Sequence, residues 1–211
     1  MSSQPNERMF HAYRPSEGHG MAHNPLNSII APRPIGWVAT ISKEGVANIA
    51  PFSFFNMFSY LPPVLGFAPD DRADSLRNAR ETGEFTWNLV TRDLAEHMNV
   101  TSVAVPHDVD EFVLAGLEAL PSIDIAPPRV ARSPVQMECK VTDIVPVRGI
   151  GGTPGMHSLV LGEIVHVHID EAHVVEGMYR TTSPVPILRG GGAADYFSIT
   201  DDSCFQMPRP G

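Results

Sequence analysis

Between Arg33 and Asn56 the chain carries a stretch that admits few folds. Ile35–Ile41 is rich in β-branched and aromatic residues and reads as one strand. Lys43-Glu44-Gly45 supplies a three-residue turn, with glycine where a positive φ is needed, and Val46–Ala50 supplies the returning arm. Pro51 cannot donate a ladder hydrogen bond and is expected to end that arm. The residues beyond read as a hydroxyl-bearing loop, with Ser53 and Asn56 set among Phe52, Phe54, Phe55 and Phe58. A β-hairpin opening into such a loop places polar groups beside flat apolar surface. That combination suits a ligand with both a phosphate and an aromatic ring.

The remaining elements are short. Leu26–Ala31 has room for one helical turn before Pro32 and Pro34. Val64–Ala68 reads as a buried strand, and a helix capped by Asp74 or Ser75 should run to Gly83 at its C′ position. Phe85–Val90 alternates as a strand, Asp93–Glu96 has capping-box spacing for a helix over 93–101, and a short acidic helix is expected near Asp110–Ala115. Gln136–Val147 and His157–Ile169 are strands flanking a glycine loop over 149–155, and the tail from Thr181 reads mostly as loop. Twenty prolines and seventeen glycines agree with many short elements joined by defined turns. The expected architecture is mainly β with short helices, an antiparallel barrel. There is no βαβ alternation, GxGxxG or GxxxxGK[ST] to suggest a Rossmann or P-loop site.

A net charge of −9 argues against a broad nucleic-acid surface but leaves room for one local basic pocket. Cys139 and Cys204, with no CxxC, suit two free thiols in a reducing compartment. The polar N-terminus and the absence of a long apolar run lead to the expectation of a cytoplasmic protein with no membrane span. The organisation expected is an arm over 1–24, one domain over 25–200 and a tail over 201–211.

Asp71–Asn78 brings a hydroxyl, two guanidinium groups and an amide to a helix N-terminus, where an anion is favoured. On pattern alone, capping by Asp74 or Ser75 with solvated arginines is the commoner arrangement. For Ser53 and Asn56 the alternative reading is that they serve only their own loop backbone. His166 and His168 share one face of a strand, yet only His173 and Glu163 adjoin them as further ligands. They are read as exposed imidazoles on a solvent-facing strand, and no metal is expected. His157, entering a strand after the glycine loop, is better placed to meet a cofactor or substrate.

Several blocks then combine: Ala31–Thr40, Asn48–Asn56, Asp74–Asn78, Thr82–Phe85 with Asn88–Thr91, and His157–Glu163. In order and spacing the chain resembles the flavin reductase-like, FMN-binding split-barrel family, in the branch of the nitrilotriacetate monooxygenase flavin-reductase component. The resemblance covers roughly residues 20–200, and linked blocks are more specific than any single motif. It implies a six-stranded Greek-key split β-barrel and a homodimer with FMN in a groove at the subunit interface. It further implies NADH or NADPH as reductant and a possible partner monooxygenase that receives reduced flavin. By matched block, Thr40 and the main chain of Asn48, Ala50 and Pro51 would line the isoalloxazine. Ser53, Phe54 and Asn56 would meet the ribityl chain or phosphate, and Ser75, Asn78 and Arg77 would complete the phosphate site. Arg33 belongs to the first block as a cofactor-binding candidate, and His157 matches a histidine near flavin and nicotinamide, the catalytic candidate. The tail Leu188–Tyr196 resembles the family's Arg-x-Gly-Gly…Tyr segment with an added small-residue stretch, and is left unassigned. The function implied is an NAD(P)H-dependent flavin reductase. Its alternatives are an FMN-retaining enzyme with its own organic substrate and a non-enzymatic electron carrier.

Overall fold

The computed structural model describes residues 8–210, so the first seven residues of the expected arm lie outside it. Seven strands build one antiparallel sheet: β1 (Gly36–Ile41), β2 (Ala47–Phe52), β3 (Phe55–Tyr60), β4 (Pro63–Phe67), β5 (Glu84–Asn88), β8 (Val135–Arg148) and β9 (Pro154–Ile169). Three small pairs complete the β structure: β6 (Ala119–Leu120) with β7 (Arg129–Val130), β10 (Val174–Val175) with β11 (Met178–Tyr179), and β12 (Ile187–Arg189) with β13 (Tyr196–Ser198). The helices are α1 (Leu26–Ile29), α2 (Asp74–Thr82), α3 (Ala95–Val100) and α4 (Glu111–Leu114).

The order across the sheet is β2-β1-β5-β8-β9-β4-β3. Its two edge strands, β2 and β3, are consecutive in the chain and separated only by Ser53 and Phe54. The sheet must therefore curl until its ends meet there, which makes a β-barrel split along one seam. Seven segments stand where six were expected. The run after Pro51 is a strand, not a loop, because Phe55–Tyr60 pairs with β4 through a bulge after Met57. The Phe55 ring also stacks parallel to Trp87, with centroids 5.8 Å apart. Nor does Pro51 end its arm. It lies opposite Trp37 on an edge strand, in the same orientation as Ile49, whose N–H leaves the ladder for Glu111, so no sheet bond is lost.

The hairpin turn forms as its residues dictate. Gly45 takes φ +86°, and the Ser42 hydroxyl accepts from the N–H groups of Glu44 and Val46. β1 is buried on both faces because two apolar clusters sandwich it. Trp37 and Ala39 join Ile49, Leu94, Met98 and Phe112 on one side, while Val38 joins Leu65, Phe67, Leu76, Phe85 and Val160 on the other. α2 ends at Gly83, which adopts the expected left-handed conformation at φ +74°. Its start departs from expectation. Ala73 is the N-cap residue and no side chain caps it, because Asp74 pairs with Arg77 and Ser75 turns inward. The helix expected over 93–101 is a 3-10 turn at Arg92–Leu94 followed by α3, and Asp110 caps α4 through the N–H groups of Phe112 and Val113. The tail, expected as loop, folds back as the β12–β13 hairpin.

Candidate functional site

Four of the sequence-predicted residues converge into one buried hydrogen-bonded cluster. Ser75 donates to Asn48 Oδ1 at 2.8 Å and Thr40 donates to the same oxygen at 3.1 Å. Asn78 Nδ2 donates to Thr40 Oγ1 at 3.1 Å, leaving Asn78 Oδ1 without a partner among the described residues. The arrangement follows from periodicity. Ser75, Leu76, Asn78 and Ala79 form the buried stripe of α2, two polar and two apolar, and the polar pair meets the β1–β2 hairpin. Sequence reading missed the fifth member. Glu111 accepts from Asn48 Nδ2 at 2.7 Å and from the Ile49 N–H at 3.2 Å. Burial raises the pKa of its carboxyl, the two donated hydrogen bonds oppose this, and nearby Asp74 raises it further. An acidic residue next to an N-cap aspartate carries no sequence signal that marks it as buried.

This cluster forms one end of a hollow of about 380 Å³, bordered by Asn48, Ala50, Pro51, Ser75, Ser102 and Glu111. Arg33, Ser53, Phe54 and Asn56 border a second hollow of about 440 Å³, with Phe58. His157 packs edge-on against Phe54, centroids 5.5 Å apart, and its backbone bridges to Asp70. The Arg33 guanidinium is already engaged, donating to the carbonyls of Asn27, Ile30 and Gly190 at 2.5, 2.6 and 3.2 Å. Arg77 stands apart, paired with Asp74 at 3.1 Å beside Arg72 and Arg80.

The tail left unassigned also reaches this region. Arg189 and Tyr196 border a hollow of about 270 Å³ with Pro51 and Ser53, and Tyr196 continues into one of about 670 Å³ beside α3. Arg189 braces its own loop by donating to the carbonyls of Asp195, Gly192 and Ala193, with its guanidinium 4.9 Å from the Tyr196 ring centroid.

A family model described as flavin reductase like domain matches residues 29–185. The chain belongs to that family. It is 37% identical over 172 residues to an uncharacterised protein of Halalkalibacterium halodurans, covering 79% of this chain and 82% of the relative. Its fold is similar to nitrilotriacetate monooxygenase component B from Bacillus cereus, with TM-score 0.81, 28% identity and 98% of each chain covered. It is also similar to Pseudomonas fluorescens 2-nitrobenzoate 2-nitroreductase, with TM-score 0.77, 30% identity and 88% and 91% of the two chains covered. As a flavin reductase-like domain it shares the split-barrel fold, and its biochemistry is that of a flavin-related oxidoreductase family.

The histidine pair of this flavin reductase-like domain differs from its sequence reading. His166 and His168 are half-buried, not exposed, and their rings stack at 4.5 Å. His166 bonds Asp124 at 2.9 Å and His168 bonds Glu138 at 2.7 Å. Glu138 is fully buried and also accepts from the N–H groups of Ile123 and Asp124, so it pins the loop after β6 to the sheet. Among the described residues no three potential ligands converge as a metal site, no helix is long and apolar enough to cross a membrane, and both cysteines are free.

Proposed function

We propose that this chain binds FMN along β2 and acts as an NAD(P)H-dependent flavin reductase. The observation that carries the reading is the convergence of Thr40, Asn48, Ser75 and Asn78 next to the open edge of β2. The residues present fit the group. β2 is paired on one side only, so main-chain groups near Ala50 and Pro51 remain available to a heterocyclic ring edge. Phe52 and Phe54 offer flat apolar surface, and Arg72, Arg77 and Arg80 gather near α2 in an otherwise acidic chain, suiting a phosphate. FMN, when bound, supplies the hydride chemistry, and the protein orients rings and excludes water. Asn48, Ala50 and Pro51 would hold the ring system, with Ser53, Phe54 and Asn56 toward the ribityl chain and Ser75 with the arginines near α2 toward the phosphate. His157, steadied by Phe54, would border the reductant. Phe54, which His157 touches, borders one hollow with Ser53, and Pro51 of the β2 edge joins Ser53 at another, so ring and reductant would meet at the barrel seam.

The proposal includes a homodimer. Phe54, Met57, Phe58, Tyr60 and Leu61 form an exposed apolar run along β3 that a second copy would cover. A partner monooxygenase would then receive the reduced flavin. Purified protein given FMN should oxidise NADH or NADPH well above the rate without protein. Absence of such turnover, with a spectrum unchanged by added reductant under anaerobic conditions, would refute the proposal. The hollow of about 670 Å³ between α3 and the tail favours one second reading, in which FMN is retained and serves an organic substrate. Flavin that survives dialysis, with turnover unaffected by free FMN, would select that reading.

A further inference from the structure

Glu111 is a carboxylate only 5% exposed, and among the described residues no lysine, arginine or histidine lies within ion-pair distance of it. Such groups are costly and are kept where their protons or hydrogen bonds matter. Its two oxygens take the Asn48 amide N–H and the Ile49 N–H. An ionised carboxylate can only accept, so it holds Asn48 with Nδ2 toward itself and Oδ1 toward Ser75 and Thr40. Both hydroxyl hydrogens are thereby consumed on Oδ1. Ser75 then offers only lone pairs to the hollow, which is the wrong polarity for an anion.

Protonation reverses that order. A neutral Glu111 donates its O–H to Asn48 Oδ1 after the amide turns over, while its other oxygen keeps the Ile49 N–H. Asn48 Nδ2 then donates to the oxygens of Ser75 and Thr40, and the Ser75 hydroxyl hydrogen is released toward the hollow. The exchange keeps the number of hydrogen bonds in the cluster and frees the hydroxyl hydrogens of both Ser75 and Thr40. We propose that Glu111 is a proton-operated positioning residue, which lets Ser75 donate to an anionic ligand when a proton from solvent is taken up. This inference rests on the FMN reading, with the ligand's phosphate near Ser75. Burial and Asp74 both favour the neutral acid, and the other charged groups facing the hollow are Asp70 and Arg72, with Asp110 preceding Glu111 on its own helix.

Titration calorimetry of FMN into the full chain, in buffers of different ionisation enthalpy, reads the protons taken up. Measurement above about pH 7, where a phosphate monoester is almost fully ionised, keeps the ligand's own protons out of the reading. Wild type is expected to take up a proton on binding FMN, with affinity falling as pH rises. Glu111→Gln copies the neutral acid, since its amide donates to Asn48 and its oxygen accepts from Ile49. It should bind with a flat pH profile, no proton uptake, and tighter affinity than wild type at the alkaline end. Equal uptake in both proteins would overturn the inference. Wild type alone provides a second arm if the variant folds poorly. Riboflavin, which lacks the phosphate, should bind without uptake, and uptake equal to that with FMN would also overturn it. Failure of wild type to bind FMN at all would instead refute the flavin reading, and this inference with it.

Discussion

The Arg33 guanidinium donates to the carbonyl of Gly190, joining the segment before β1 to the tail 157 residues later. Two main-chain bonds between Arg33 and Arg189 flank this contact, and an added Cβ at Gly191 would fall 2.1–2.5 Å from Ser28. Arg33→Ala should therefore release the β12–β13 hairpin at a cost of about 1–3 kcal/mol. Hydrogen exchange over residues 187–198 checks this, and protection equal to wild type would show that the arginine is not the latch.

Asn48 is the hub of the buried cluster, bonded at once to Glu111, Ser75 and Thr40. Asn48→Ala leaves a buried carboxylate and two hydroxyls short of partners. The expected loss is about 3 kcal/mol in chemical denaturation, accompanied by weaker FMN binding. A loss under about 1 kcal/mol would mean that the cluster repairs itself with water.

Much of the local structure was legible in the sequence. The hairpin, its glycine turn and the left-handed Gly83 follow from local chemistry, and local chemistry acts the same way in any fold. The barrel was legible too, but its third strand was not, because β3 looks like a loop until β4 is present to pair with it. Ser75 was ambiguous for a similar reason. A serine at a helix start caps by default, and only the hairpin packed against α2 turns its hydroxyl to Asn48. Glu111 was invisible, since its burial is decided by α4 docking on β2 across more than sixty residues of chain.

His157 meets the edge of Phe54, and Phe54 borders the hollow that contains Ser53 and Asn56. Replacing it with alanine removes that steadying contact and should slow flavin reduction by about tenfold to 10²-fold, as misplacement of reacting groups does. Stopped-flow reduction with NADH or NADPH gives the rate. An unchanged rate would remove His157 from the candidate site.

Gly162 marks where β9 passes closest to the core. A Cβ there would lie 2.3 Å from the Phe85 ring and 3.3 Å from the Cys139 Cβ. Phe85 is fully buried and has no room to move aside. Gly162→Ala should cost about 1–3 kcal/mol, read as a lower denaturation midpoint at unchanged slope.

Glu138 gives the fold an acid limit. Burial alone would raise its carboxyl, but the N–H groups of Ile123 and Asp124 and the His168 ring outweigh burial and hold it below the ordinary value of 4.5. The unfolded chain therefore takes up a proton at Glu138 before the folded chain does. The stability this supplies is fully present above pH 4.5 and is lost as pH falls from there through the depressed folded value. Glu138→Gln keeps the shape but loses the charge and turns one acceptor oxygen into an NH2 donor that faces a main-chain N–H, so it should be less stable than wild type at neutral pH by about 2 kcal/mol. The gap should close as the solution is acidified below 4.5, where wild-type Glu138 also becomes neutral. Denaturation midpoints measured at neutral pH and across the acid range test this directly. A difference between the two proteins that stays constant with pH would show that Glu138 acts through its shape alone.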